Sequence, residues 1–426
     1  MAKKIEPVAA PPQVTQETQA APPPVAPSTV KVVSDGTYST EDLTAEYTMQ
    51  YSAKDPLARM RKKVNDALTI NARGTIARTG IVGLDLALHG GVTFGCVHEL
   101  YGKSKAGKSY VGYRIALEAQ RKHPSAFFVL LDRENAADPN RRISMGFDPA
   151  RTLIIPARDI PEPDNAWDKM REVSAEIDRV YRQGGSVDDI VLDEPKTPTL
   201  STADPTLKKE KKATNDYGRV YSEEGAPYIV YFIDSVPAFA EKADVVEDQG
   251  RRAKGWHAIM RRLTPFCDPR TMVLFSNHTT FKPTHYGDGK TKSSGTAPDF
   301  YRDCGIEVEE VAPILNTDGV QIGSMHRAIV QKTRRGHGSS KVEFAYYYKT
   351  GSVHFGGVMS YALHLGLGEV TNKTQVKEKK APANIAIPSL KAPAISELAA
   401  PEDLQAHIIK YGIIDAIRAK EAELFK

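Results

Sequence analysis

The eight residues Gly102-Lys-Ser-Lys-Ala-Gly-Lys-Ser109 have the spacing of a phosphate-binding loop, G-x-x-x-x-G-K-[ST]. Glycines at both ends let the backbone wrap a phosphate chain, so that amide N–H groups point inward at the positive end of the next helix. Lys108 can then reach the β- and γ-phosphates, and the Ser109 hydroxyl can ligate Mg²⁺. The candidate nucleotide contacts are Gly102, Lys103, Ser104, Lys105, Ala106, Gly107, Lys108, Ser109 and the adjoining Tyr110. A second acid completes the metal chemistry. Tyr228 to Asp234, "YIVYFID", is an apolar strand ending in a carboxylate, which places Asp234 beside the loop to hold Mg²⁺ through a water.

These residues need a scaffold, and the surrounding pattern supplies one. A strand-like run, Val97 to Tyr101, leads into the loop, and a helix-like run, Tyr110 to Gln120, leads out. Ser125 to Asp132, "SAFFVLLD", is a continuous apolar run of the kind expected for a strand buried on both faces. A helix (Arg141 to Met145), a short strand (Arg151 to Pro156) and an amphipathic helix (Asn165 to Arg182) follow, then the strand that ends at Asp234. After a basic helical stretch, "TMVLFSNH" forms a strand ending at His278. Strand alternating with helix at this rhythm predicts an α/β fold with a mostly parallel central sheet. Strand-like runs "CGIEVEEVAPIL", "HRAIVQKT" and "KVEFAYYYK", spaced by turns, read as a sheet edge.

The rest of the 426 residues divides by composition. Residues 1 to 40, rich in Ala, Pro, Val, Thr and Gln, read as a disordered tail. Residues 41 to 75 form a lead-in with the basic cluster Arg59, Arg61, Lys62 and Lys63, either a solvated helix face or a contact to a neighbouring subunit. The core is expected over 76 to 370, interrupted at 184 to 227 by a surface insertion with prolines and charge runs. Residues 371 to 400 read as a linker. Residues 401 to 426 read as a helical segment with the stripe Leu404, Ile408, Ile409, Ile413, Ile414 and Ile417, which either docks on the core or stands apart.

Composition bounds the function without naming it. A net charge of +4 does not announce nucleic-acid binding, so any basic surface must be local. The three cysteines, Cys96, Cys267 and Cys304, lie far apart, without zinc spacing or a disulfide pattern. No apolar run approaches the ~18 residues of a membrane span, and the N-terminus lacks a signal-peptide core. A cytoplasmic protein without a membrane partner is expected. One local basic segment stands out. Thr279 to Asp299 mixes Gly, Ser and Thr with Lys282, Lys290, Lys292, Phe281 and Tyr286, a combination suited to a mobile loop tracking a nucleic-acid backbone.

Six segments in order resemble one family, the RecA-type DNA strand-exchange recombinases, and most closely the phage recombinases of the UvsX type. They are the phosphate loop, "LLDRENAADP", "FIDSVPAFAEKADVVED", "LFSNHTTF", "SSGTAPDFYRD", and "IVQKTRR" with "VHFGGVMSYALHLGL". The resemblance runs from about Thr79 to Gly366, outside the insertion. It implies a RecA-like ATPase core that uses ATP and Mg²⁺. Glu134 resembles the family's carboxylate that polarises the attacking water, and Asp138 its acidic adenine contact. Arg141 stands where a stacking Tyr is frequent, and a guanidinium can also stack. His278 resembles the sensor of the γ-phosphate, a position that is Gln in many relatives.

The same resemblance makes Thr279 to about Thr296 the second DNA-binding loop. Val245 to Lys254 falls where the first lies, with Arg251, Arg252 and Lys254 as candidate contacts. Lys332 and Arg334 resemble the cations that reach the ATP of an adjacent protomer. The implied function is ATP-dependent homologous pairing. A helical filament would form on single-stranded DNA, sample homologous double-stranded DNA and exchange strands in recombination and repair. A loader or mediator and a single-strand-binding protein would be its partners, inside a prokaryotic host cell and on a phage-encoded chain. The alternatives are a ring-forming motor of the helicase type, which needs an N-terminal helical collar, and an ATP-binding accessory protein.

Overall fold

The computed structural model describes residues 75–135, 138–192, 227–239, 259–284, 287–292, 297–333, 339–377 and 382–424. The expected N-terminal tail and lead-in, most of the insertion and the first DNA loop lie outside them. So do Arg251, Arg252, Lys254, Tyr286 and Arg334.

The chain enters through a short antiparallel pair, β1 (Ile76–Ala77) and β2 (Val92–Thr93), with helix α1 (Val82–Ala87) between them. The alternation of strand and helix then begins. β3 (Val97–Gly102) leads to α2 (Lys108–Lys122), β4 (Phe127–Asp132) to α3 (Pro139–Met145), and β5 (Thr152–Pro156) to α4 (Pro163–Arg182). β6 (Ile229–Asp234) and β7 (Thr271–Thr284) complete this half, with residues 259–266 helical between them. The antiparallel half comprises β8 (Gly287–Lys292), α5 (Ala297–Tyr301), β9 (Cys304–Leu315), β10 (Gln321–Thr333), β11 (Ser340–Tyr347) and β12 (Gly351–Ser352).

One sheet carries the strand order β12-β11-β10-β9-β3-β7-β6-β4-β5, with β8 paired to β7 outside that path. The five pairs from β9 to β5 are parallel, and the β9–β10, β10–β11 and β11–β12 pairs are antiparallel. Parallel strands need crossovers that cover both faces, which is why β4 and β6 are buried at every position. Residues of alternate parity face opposite layers. Phe128, Leu130, Val230 and Phe232 join α2 in one cluster, while Phe127, Val129, Leu131 and Tyr231 join α4 in the other.

Two segments depart from expectation. The loop expected from Thr279 is, over its described residues, a hairpin. β7 runs on past His278, and Thr279 to Thr284 pair with Lys292 to Gly287 of β8. Thr279, Thr280, Thr284 and Thr291 are β-branched and suit the pleat, a signal that Gly and Lys content masks. The linker expected over 371–400 contains structure of its own. After α6 (Val358–His364), β13 (Glu369–Val370), β14 (Asn384–Ile387) and β15 (Ala392–Ser396) form a three-stranded sheet, with α7 (Lys373–Lys377) between the first two. Ile385, Ile387 and Ala392 bury against the core, and the Glu397 carboxylate accepts the Gly357 and Ser360 N–H groups at the start of α6, both at 2.9 Å. The final helices, α8 (Pro401–Lys410) and α9 (Ile413–Leu424), put Leu404, Ile408, Ile413 and Ile417 into the same cluster as α2.

Candidate nucleotide site

Parallel register assembles the site. Gly102 at the end of β3 lies opposite His278 on β7, and Asp132 at the end of β4 lies opposite Asp234 on β6. The carboxyl ends of neighbouring parallel strands are where α/β sheets offer ligands a crevice. Gly102 has φ +153°, and a Cβ there would meet the Val308 carbonyl oxygen at 2.1 Å, so the loop leaves the sheet only through glycine. Gly107, at φ +94°, is the N-cap of α2, and that helix has no side-chain cap and no acid in its first turn. Its first N–H groups are thus aimed at the loop interior with nothing anionic from the helix competing for them.

Lys108 is 6% exposed. Its Nζ donates to the Lys103 carbonyl at 2.8 Å and lies 3.5 Å from His278 Nδ1. Burial lowers its pKa, opposed by the carboxylates of Asp234 and Glu134. Glu134 sits just past β4, its backbone N–H donating to the Asp234 carbonyl. Its Oε1 accepts from Ser235 Oγ at 2.5 Å and lies 3.3 Å from His278 Nε2. The hydrogen bond from His278, aided by Ser235 and outweighing burial, holds this carboxyl down at about 2. Asp234 has the opposite problem. Burial pushes its pKa up, against hydrogen bonds from Ser109 and Ser276, the latter 2.5 Å from Oδ1.

Lys108, Ser109, Glu134, Asp234 and His278 therefore meet along one cleft of about 480 Å³. The Ser109 hydroxyl and the buried Asp234 carboxylate form a hard-oxygen pair beside Lys108. That donor set suits Mg²⁺, which keeps most of its waters and takes the rest of its shell from phosphates. Among the described residues no cluster of three or more His, Cys, Asp or Glu side chains could by itself hold a metal. Lys103, Ser104 and Lys105 are exposed at the loop tip and Ala106 is buried.

The two expected adenine contacts lie at the start of α3. Asp138 is exposed at the entry to α3, whose Arg141 side chain lies outside the described set. The cleft's other wall is instead aromatic, built from Tyr110, Phe344, Tyr346 and Tyr348 with Ser324 and His326. Phe344 and Tyr346 alternate along β11 and face His326 and Ser324 of β10 in register. The Tyr110 and Tyr346 rings are 4.4 Å apart, and the Tyr110 hydroxyl donates to Ser352 Oγ at 2.8 Å. His326 Nδ1 contacts the Ala106 carbonyl at 2.9 Å and its Nε2 contacts Ser324 Oγ at 2.8 Å, bracing the phosphate loop from β10. From sequence alone these strands read as a sheet edge. The available signal was the period-two aromatic row Phe344, Tyr346, Tyr348, too polar at its tip for a plain core strand.

Of the expected DNA contacts, Phe281, Lys282 and Lys290 lie on the hairpin strands. Lys292 does not face outward. Its side chain is 13% exposed, and Nζ pairs with Glu99 at 2.9 Å and Asp299 at 2.6 Å. Two acids that sequence spacing does not connect to it draw it inward. Lys332 pairs through its backbone with Gly305 on β9.

The fold and the site define an α/β protein with a mostly parallel sheet, a phosphate-loop sequence at the end of β3 and a hairpin continuing the strand that carries His278. No family model matches the chain. Curated relatives do: the RecA protein of Caulobacter sp. (strain K31) is 27% identical over 297 residues, covering 68% of each chain. That of Teredinibacter turnerae is 26% identical over 299 residues, 68% of this chain and 71% of the relative, and that of Geobacter sulfurreducens 27% over 299 residues, 68% and 72%. The chain is a distant relative of the RecA-type recombinases.

Proposed function

We propose that the protein is a DNA-dependent ATPase that forms filaments on single-stranded DNA and pairs it with homologous duplex, in the manner of the phage UvsX-type recombinases. The observation that carries this reading is the placement of His278. It touches both Lys108 and Glu134 and is the last residue before the β7–β8 hairpin. A group that feels the γ-phosphate thus opens the segment read as the DNA loop. The described helices include none long and apolar enough to cross a membrane, and the reading requires none.

The mechanism follows from what each side chain can do. Lys108 exchanges its bond to the Lys103 carbonyl for the β- and γ-phosphate oxygens. Ser109 and Asp234 would hold Mg²⁺, which when bound neutralises phosphate charge. Lys108 can only donate, so His278 Nδ1 accepts, and Nε2–H donates to Glu134. While that bond lasts, Glu134 is a weak base. When a γ-phosphate draws the Nε2–H away, Glu134 loses its strongest donor, its basicity rises, and it can take a proton from the attacking water. Lys332 and Arg334 would supply charge to the site of the adjacent protomer. Adenine would lie on the aromatic wall of Tyr110, Tyr346 and Tyr348, with Asp138 and Arg141 as the alternative contacts on the side of α3.

The test is imaging of the protein with single-stranded DNA, with and without a slowly hydrolysed ATP analogue, beside a DNA-stimulated phosphate-release assay. Regular nucleotide-dependent helical filaments and stimulated release are expected. Closed rings would transfer the reading to a motor, and ATP binding without either form would point to an accessory protein.

A further inference from the structure

Glu99 is a fully buried carboxylate on β3, three residues before the phosphate loop. Its Oε1 accepts from Asn277 Nδ2 at 2.8 Å, and its Oε2 accepts from Lys292 Nζ at 2.9 Å and from the Arg302 guanidinium. Asp299, at the edge of this cluster, receives Lys292 and Arg302, each at 2.6 Å. Two carboxylates face two cations. A buried charge set persists only when it is paired and hydrogen-bonded in this way. Lys292 and Arg302 both also lie over the Tyr101 ring, the lysine 4.2 Å from its centroid.

The three partners of Glu99 come from distinct places around the hairpin. Asn277 immediately precedes His278, Lys292 closes β8, and Arg302 follows α5. Thr279 and Lys292 are register partners at the hairpin base. The leading strand of the hairpin therefore starts at the phosphate sensor, and the trailing strand ends in a lysine locked to the strand that carries the phosphate loop. Asn277 ties the leading strand to Glu99 one residue before His278, so a shift at His278 acts beyond that bond and against a trailing foot that is fixed.

We propose that Lys292 is a positioning residue that supplies this fixed foot through Glu99 and Asp299, converting displacement of His278 into reorientation of the hairpin. The inference rests on the DNA-loop reading given under Proposed function. It removes Lys292 from the set of phosphate contacts, and Glu99, which no motif singles out, becomes part of the coupling between nucleotide and DNA.

The experiment uses the full chain and a fluorescent oligo-dT strand, with and without a slowly hydrolysed ATP analogue, over a series of salt concentrations. The wild type is expected to bind the strand about tenfold or more tightly with the analogue. Lys292→Met is expected to keep its analogue affinity and its salt slope but to lose the nucleotide-dependent gain. Lys292→Arg, which can still bridge both acids, is expected to restore it. Asp299→Asn, altering the more exposed acid, is the second variant should Lys292→Met not fold, and is expected to reduce the gain. A salt slope lowered by about one with the gain retained would make Lys292 an ordinary phosphate contact and overturn the proposal. An unchanged gain and slope in Lys292→Met and Asp299→Asn would overturn it too. A wild type whose DNA affinity ignores nucleotide refutes the DNA-loop reading itself, a result visible before any variant is measured.

Discussion

His278 stands between Lys108 and Glu134, its Nδ1 3.5 Å from the ammonium and its Nε2 3.3 Å from the carboxylate. One imidazole thus contacts the side chain suited to bind phosphate and the side chain suited to activate water. Replacing Glu134 by Gln keeps the volume and the acceptor that Ser235 uses, but removes the base. Phosphate release should fall by about 10²–10⁴-fold, the usual contribution of a general base, with ATP-analogue affinity little changed. Single-turnover phosphate release and equilibrium binding separate the two. Undiminished release in Glu134→Gln would remove the catalytic assignment.

The same contact has a pH signature. Glu134 is held at about 2 in the folded protein, below its ordinary 4.5, chiefly by the bond from His278. A carboxyl depressed on folding contributes stability that is fully present above 4.5 and is lost as pH falls from 4.5 toward about 2. In urea titrations the wild type's advantage over Glu134→Gln should be constant above pH 5 and shrink below about 4.5. The carboxylate is half exposed, so solvent screening keeps the difference small. A difference that grows on acidification would contradict the pairing.

Asp234 titrates in the opposite sense. Its carboxyl is raised above 3.8 by burial, so the folded state holds the proton more tightly than the unfolded chain does. Stability therefore falls as pH rises from 3.8 through the folded value. Asp234→Asn should raise the melting temperature of the nucleotide-free protein at pH 7, by on the order of 2 °C. Yet it should forfeit much of the further rise that Mg²⁺ and nucleotide give the wild type, which is about 2.7 kcal/mol at a hundredfold excess over Kd. Thermal melts with and without Mg²⁺ and the ATP analogue test both halves.

Gly83 offers a test of the packing. The α1 backbone lies directly against the start of α6, with the Gly83 N–H donating to the Gly356 carbonyl at 3.0 Å. A Cβ on Gly83 would sit 2.2 Å from the Gly357 carbonyl carbon. Backbone cannot rotate aside as a side chain can, so Gly83→Ala should destabilise by about 1–3 kcal/mol or more. Gly366→Ala meets no atom within 4 Å but sits at φ +75°, so its smaller loss reports strain alone. Urea midpoints for the two variants should differ in that order.

How much was legible follows from where each contact is encoded. The parallel half of the fold could be read because "SAFFVLLD" and "YIVYFID" carry their burial in consecutive residues, and register then aligns their acids. The chemistry-bearing ends of those strands were legible for the same reason. What could not be read depends on pairing between distant segments. The inward turn of Lys292 needs Glu99 and Asp299, 193 and 7 residues away, and spacing says nothing about either. The strands at 384–387 and 392–396 are short pieces set in a Pro- and Ala-rich stretch, and their apolar residues find burial against the core. Local composition therefore pointed to a linker there.

The aromatic wall of the cleft was hidden in the same way, because β10 and β11 reach the phosphate loop only through the antiparallel edge. Its contribution can be isolated. Tyr346 lies against Tyr110 with its ring tilted and lines the cleft, while Lys108, Ser109 and Asp234 lie on the opposite, parallel side. If the base rests on this wall, Tyr346→Ala should weaken ATP-analogue binding by about 1 kcal/mol, roughly fivefold, the usual scale of an aromatic pair. Inorganic tripolyphosphate engages only the loop, so its affinity should stay within about twofold of the wild type's. Asp138→Ala, at an exposed position before α3, should change neither affinity by more than about twofold. Equal losses for both ligands in Tyr346→Ala would mean that the ring merely supports the loop, as His326 does. A loss of ATP-analogue binding confined to Asp138→Ala would return the base to the side of α3.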